Sequence, residues 1–91
     1  MKFHATIRYW RPESESGLAV ADIPIEHIKP LGGLKQQRVE GKINGVGYQS
    51  NVMPAGSGRL ALSVSKKMMA AARVEVGDDA EIEIKAAPAR K

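Results

Sequence analysis

The sequence predicts a mainly β fold, a small six-stranded barrel with one short α-helix and one brief helical turn. Six short runs alternate apolar and polar residues and are separated by turns bearing Gly, Pro or Asn. A chain of 91 residues has room for one core. Six short strands also leave exposed edges unless the sheet curls back on itself. One Trp, two Tyr and one Phe make that core aliphatic. The reading places a single domain over residues 1–85 and a frayed tail over residues 86–91.

Phe3, Ala5, Ile7 and Tyr9 alternate with His4, Thr6, Arg8 and Trp10, which is a strand with one buried face. The polar residues 12–17 predict a turn, so residues 18–23 return as its hairpin partner. Pro24 suits the start of a helical turn in which Ile25, Ile28 and Leu31 recur at helical spacing. Pro30 and Gly32-Gly33 limit that turn to about two windings.

In the middle of the chain Val39, Gly41 and Ile43 share one face, and Arg38, Glu40 and Lys42 the other. Asn44-Gly45 follows, the dipeptide that best accepts positive φ at both centres of a hairpin turn. Val46, Tyr48, Ser50 and Val52 continue the alternation on the return strand, and residues 53–58 read as a loop. Leu60, Leu62 and Val64 point inward from the next strand. Ser65 caps a helix from Lys66 to about Arg73 that packs through Met68, Met69 and Ala72. After a turn at Gly77-Asp78-Asp79, Ala80, Ile82 and Ile84 supply the inner face of the last strand.

Gly41 to Val46, Met53-Pro54, Gly56 and Gly58, Leu60 to Val64, Lys66 to Ala72 and Gly77-Asp78 together resemble the bacterial domain of unknown function 1905 family. The likeness extends more loosely to Phe3, Ala5, Ile7 and the Ile23-Pro24 step. It implies a double-split β-barrel, distantly similar in fold to AbrB-type regulators, which bind DNA; fold alone transmits no function. Arg73 stands where that family closes its helix with glycine, and Met69 and Ala70 make this helix less basic.

Net charge is +4, divided into +6 over residues 1–74 and −2 over residues 75–91. Such an excess attracts polyanions weakly and also keeps a small protein dispersed. The chain has no cysteine, which excludes disulfides, thiolate metal sites and a cysteine nucleophile. With no apolar stretch long enough to span a bilayer and no signal-like run at the start, the expected compartment is the cytoplasm, without membrane attachment.

Catalytic equipment is sparse. His4 and His27 lie on different elements without ligand spacing and read as solvated side chains. No serine occupies a nucleophile elbow. Gly56-Ser57-Gly58 joins two strands instead of opening a helix, so it does not cradle phosphate. Glu75, Asp78, Asp79, Glu81 and Glu83 read as solvated acids, because the strand carrying the last two spends its apolar face on the core. The expectation is therefore no catalytic residue, no metal and no cofactor.

Two binding candidates stand out. Lys66 and Lys67 occupy the first helical turn, where the macrodipole disfavours cations. With Ser65 and Arg59, and Arg38 and Lys42 in support, they suit an anion. Trp10, between arginines Arg8 and Arg11 in the stretch Arg8-Tyr9-Trp10-Arg11, suits stacking on a base or aromatic ligand. The expected function is a non-enzymatic binding module for an anionic partner, either nucleic acid or a phosphate-bearing ligand. The alternatives are a homodimeric interaction domain, instead of a monomer, and a small-molecule binder with a barrel-end pocket under residues 53–58.

Overall fold

The alternating runs become six strands in the computed structural model, which describes residues 2–11 and 18–87. The order is β1 (Lys2–Tyr9), β2 (Ala19–Ile23), α1 (Ile25–Leu31), β3 (Gln37–Ile43), β4 (Val46–Gly56), β5 (Arg59–Val64), α2 (Lys66–Ala72) and β6 (Asp79–Ala86). The strands close an antiparallel barrel in the spatial order β1-β2-β5-β4-β3-β6. No described helix is long and apolar enough to cross a membrane.

Every strand has two neighbours, but β1 and β4 divide their length between theirs. β1 pairs with β6 from Lys2 to Thr6 and with β2 from Ile7 to Tyr9. β4 pairs with β3 from Val46 to Val52 and with β5 from Val52 to Gly56. Where β1 changes partner, Ile7 donates its N–H to the Asp78 carbonyl at 2.9 Å and accepts from the Gly77 N–H at 2.7 Å. The Gly77-Asp78 turn thus satisfies backbone groups that the split leaves behind. Asp78 also accepts the Glu75 N–H through its carboxylate at 2.9 Å.

The inward residues form one largely aliphatic cluster, with Phe3 and Tyr48 as its aromatic members. Ile7, Ile43, Val52, Leu60, Leu62 and Ile82 are fully buried, and Ile28 and Leu31 of α1 and Met68 and Ala72 of α2 pack onto the same cluster. At the tip of the β3–β4 hairpin, Asn44 (φ 49) and Gly45 (φ 84) adopt the expected left-handed pair. Asn44 also exchanges two bonds with Glu81: its N–H donates to the carbonyl at 2.8 Å, and its side chain accepts the Glu81 N–H at 2.9 Å. The tip is thereby tied to β6.

Gly41 sits where β3, β4 and β6 meet, opposite Tyr48 on one side and Ile84 on the other. A Cβ built there would lie 1.9 Å from the Glu83 carbonyl oxygen, so only glycine fits. Tyr48 donates its hydroxyl to that same carbonyl at 2.9 Å, crossing from β4 over the glycine to β6. Burial pushes the Tyr48 phenol upward, so it stays protonated as a donor.

Several expectations are corrected. Residues 53–56 extend β4 instead of looping, and the turn is reduced to Ser57-Gly58, both with positive φ. Pro54 is tolerated because β3 begins opposite Val52, so the proline's missing N–H faces no ladder on that side. Ile25 is 75% exposed; as the first helical residue its side chain leans back past the helix start, away from the core. β6 runs through Ala86, and Ala87 donates to the Arg38 carbonyl at 3.0 Å, so pairing extends beyond residue 85. The predicted turn over residues 12–17 and the last residues of the tail, 88–91, lie outside the described residues.

α2 begins as expected, with the Ser65 hydroxyl accepting the Met68 N–H at 3.1 Å. It ends on Arg73 in the left-handed region, φ 58 and ψ 46. Two outcomes are expected in urea unfolding. Gly41→Ala lowers stability by about 3 kcal/mol or prevents folding, because backbone must move to admit the methyl group. Arg73→Gly raises stability by up to about 1 kcal/mol by relieving the left-handed penalty.

Candidate functional site

The β3–β4 hairpin and β6 place alternate side chains on the outer face of the barrel, and α2 stands beside that face. Between them lies an open groove of about 840 Å³, within the range of ligand sites. Its floor carries Glu40 and Lys42 from β3, Gly47 and Gln49 from β4, and Glu83 and Lys85 from β6. Its wall carries Ser65, Lys67, Met68 and Ala71. Three lysines and two glutamates leave the lining one charge positive.

Strand register explains how those charges are arranged. Glu40 faces Lys85 across the β3–β6 ladder, and the two form an ion pair at 3.5 Å. Lys42 faces Glu83 in the same ladder without closing an ion pair. Lys67, on the helix wall, has no carboxylate partner among the described residues. It is the groove's least compensated cation.

The structure separates the sequence-predicted anion cluster. Ser65 and Lys67 line the groove and Lys42 joins them, whereas Lys66 does not line it. Arg59 starts β5 and Ser65 follows its end, so the strand holds them about 20 Å apart. Arg59 instead lies near enough to Asp22 to act on its charge. The Ser65 oxygen already accepts the Met68 N–H, and the Ser65 N–H contacts the Met68 sulfur at 3.5 Å. The first turn of α2 therefore satisfies much of its own polar valence.

Trp10 is half-buried just beyond β1, with its backbone N–H donating to the Leu18 carbonyl at 2.7 Å. Arg8 is not available to flank a stacked ligand. Its Nε and a terminal nitrogen hold both Asp22 carboxylate oxygens, at 2.8 and 2.9 Å. His4 is exposed, 3.9 Å from the Glu81 carboxylate. His27 is not wholly on the outer side as expected: it is half-buried, with its ring centroid 5.6 Å from that of Phe3. Among the described residues no three His, Asp or Glu side chains gather to hold a metal ion. The anticipated barrel-end pocket under residues 53–58 does not coincide with the groove, which none of those residues lines.

Sequence reasoning missed Gly47, Gln49 and Lys85 as groove residues. Gly47 carried a usable signal, being a glycine in the interior of a strand, two residues past the turn. Its φ is not left-handed, and a Cβ there would meet only the Gly41 carbonyl oxygen, at 4.0 Å. The fold does not require glycine at this position, and its effect is to keep the groove floor low. An interior strand glycine often marks a close approach of ligand or backbone.

The Arg8 hydrogen bonds hold the Asp22 carboxyl below its ordinary range. That contribution to stability is complete above the unfolded carboxylate's pKa and disappears as pH falls through the lower folded value. Both side chains are about a third exposed, so solvent limits the effect to within about 1 kcal/mol. Asp22→Asn is expected to be less stable than the parent at pH 7, with the gap closing in acid; melting curves from pH 7 to pH 2 measure it.

No curated protein matches the chain. A family model does match, described as Domain of unknown function (DUF1905), over residues 3–84. The matched span includes both split strands, the Gly41–Tyr48 crossing, both helices and the β6 residues that line the groove. The chain belongs to the DUF1905 family.

Proposed function

We propose that the protein is a non-catalytic binding module that holds an anionic group in the groove between α2 and the β4-β3-β6 face. The observation that carries this reading is Lys67 on the helix wall, without a carboxylate partner among the described residues, in a groove it shares with Lys42 and Gly47. Ala71, exposed on the helix wall, adds apolar surface to the same lining, as ligand sites generally require. The histidines support a role without acid–base chemistry, since His4 pairs across β1–β6 and His27 packs on Phe3, both away from the groove lining.

The ligand is a discrete anionic group and not a polynucleotide backbone. A strand of nucleic acid needs a track of one sign, whereas Glu40 and Glu83 interrupt this lining and Arg59 lies at the far end of β5.

Titration of the ¹⁵N-labelled protein with inorganic pyrophosphate is expected to shift amides around Lys42, Gly47 and Lys67. Lys67→Gln is expected to weaken that binding about fivefold, the loss of one charge-assisted contact. Shifts spread evenly over all lysines, Lys29 and Lys35 included, would refute the reading.

A further inference from the structure

The split in β4 exposes a short length of strand edge inside the groove. Ile43 and Val46 flank the two-residue turn, and in that geometry they exchange both backbone hydrogen bonds. The antiparallel ladder then alternates, so Gly41–Tyr48 and Val39–Ser50 are also bonded pairs. The bond from the Asn44 N–H to the Glu81 carbonyl has the matching phase on the other side of β3. Gly47 and Gln49 therefore turn their N–H and C=O groups away from β3. β5 pairs with β4 only from Val52 onward, so it does not reach these groups. Both residues are exposed, and both line the groove.

We infer that β4 accepts an added strand along Gly47 and Gln49, supplied by an extended peptide with an acidic side chain directed at Lys67. Unpaired edge groups template another strand, and such addition is a recurring mode of peptide recognition. Gly47 has no side chain to obstruct the approach, and the backbone does not need glycine there. Lys67 supplies the charge that selects a carboxylate, while Glu40 is already matched by Lys85 at 3.5 Å. The inference rests on the anion-binding reading of the same groove and adds the partner's class to it.

The test uses the whole chain and three synthetic peptides: one alternating Val and Glu, one alternating Val and Thr, and the Val-Glu peptide N-methylated at alternate residues. The Val-Glu peptide is expected to slow amide exchange at Gly47 and Gln49. Loss of the edge hydrogen bonds on N-methylation should weaken binding about tenfold. Gly47→Pro removes the outward N–H and leaves the β3–β4 ladder its bonds, so it should weaken the peptide while the variant still unfolds cooperatively. Equal binding of the N-methylated peptide, or unchanged exchange at both amides, would overturn strand addition. Equal binding of the Val-Thr peptide would overturn the acidic partner. Pyrophosphate shifts at Lys67 without any peptide effect would refute the added strand alone; silence from both ligands would remove the anion-binding reading as well.

Discussion

The Glu83 carbonyl meets two constraints at once, and the geometry of the groove follows from them. Gly41 leaves it room, since any Cβ would lie 1.9 Å away. Tyr48 holds it with a hydroxyl at 2.9 Å. The phenol is buried, so its unmet hydrogen bond would cost more than the bond itself contributes. Together they draw β6 against β3. From there β6 reaches β1, which completes the barrel, and its outward Glu83 and Lys85 meet Lys42 and Glu40 on the groove floor.

A closed sheet of six short strands must satisfy nearly every backbone group. Here two strands change neighbour partway, and each change leaves a gap. At the β1 gap the Gly77-Asp78 turn supplies the missing donor and acceptor. Beyond the other change of partner, α2 stands beside the outer face of β4 but gives Gly47 and Gln49 no strand to pair with. A helix has already used its own backbone hydrogen bonds. One gap is sealed by a turn, whereas β4 keeps an unpaired side between its own turn and Val52.

Much of the barrel was legible because strand alternation and turn chemistry are local properties. Phe3 and Ile7, Val39 and Ile43, and Ile82 and Ile84 all face inward as their spacing requires. Asn44-Gly45 and the Ser65 cap behave as their chemistry dictates. The failures are non-local. The exposure of Ile25 is one, since its helical spacing with Ile28 and Leu31 does not say that it starts the helix. Pro54 looked like a strand breaker, yet it sits in a strand whose neighbour on one side has already ended. Ser65, Lys66 and Lys67 are adjacent in sequence, but Arg59 stands at the far end of the strand that precedes them. The groove was hidden for the same reason, since four separate elements build it. Only Gly47, a glycine without a conformational reason, pointed to it locally.

Between its turn and Val52, β4 is paired on one side only. Native-state amide hydrogen exchange of the free protein, read residue by residue, tests it directly. The account predicts slow exchange at Val46, Tyr48 and Ser50, whose N–H groups face β3, and fast exchange at Gly47 and Gln49 between them. Uniform protection along all five residues would contradict it.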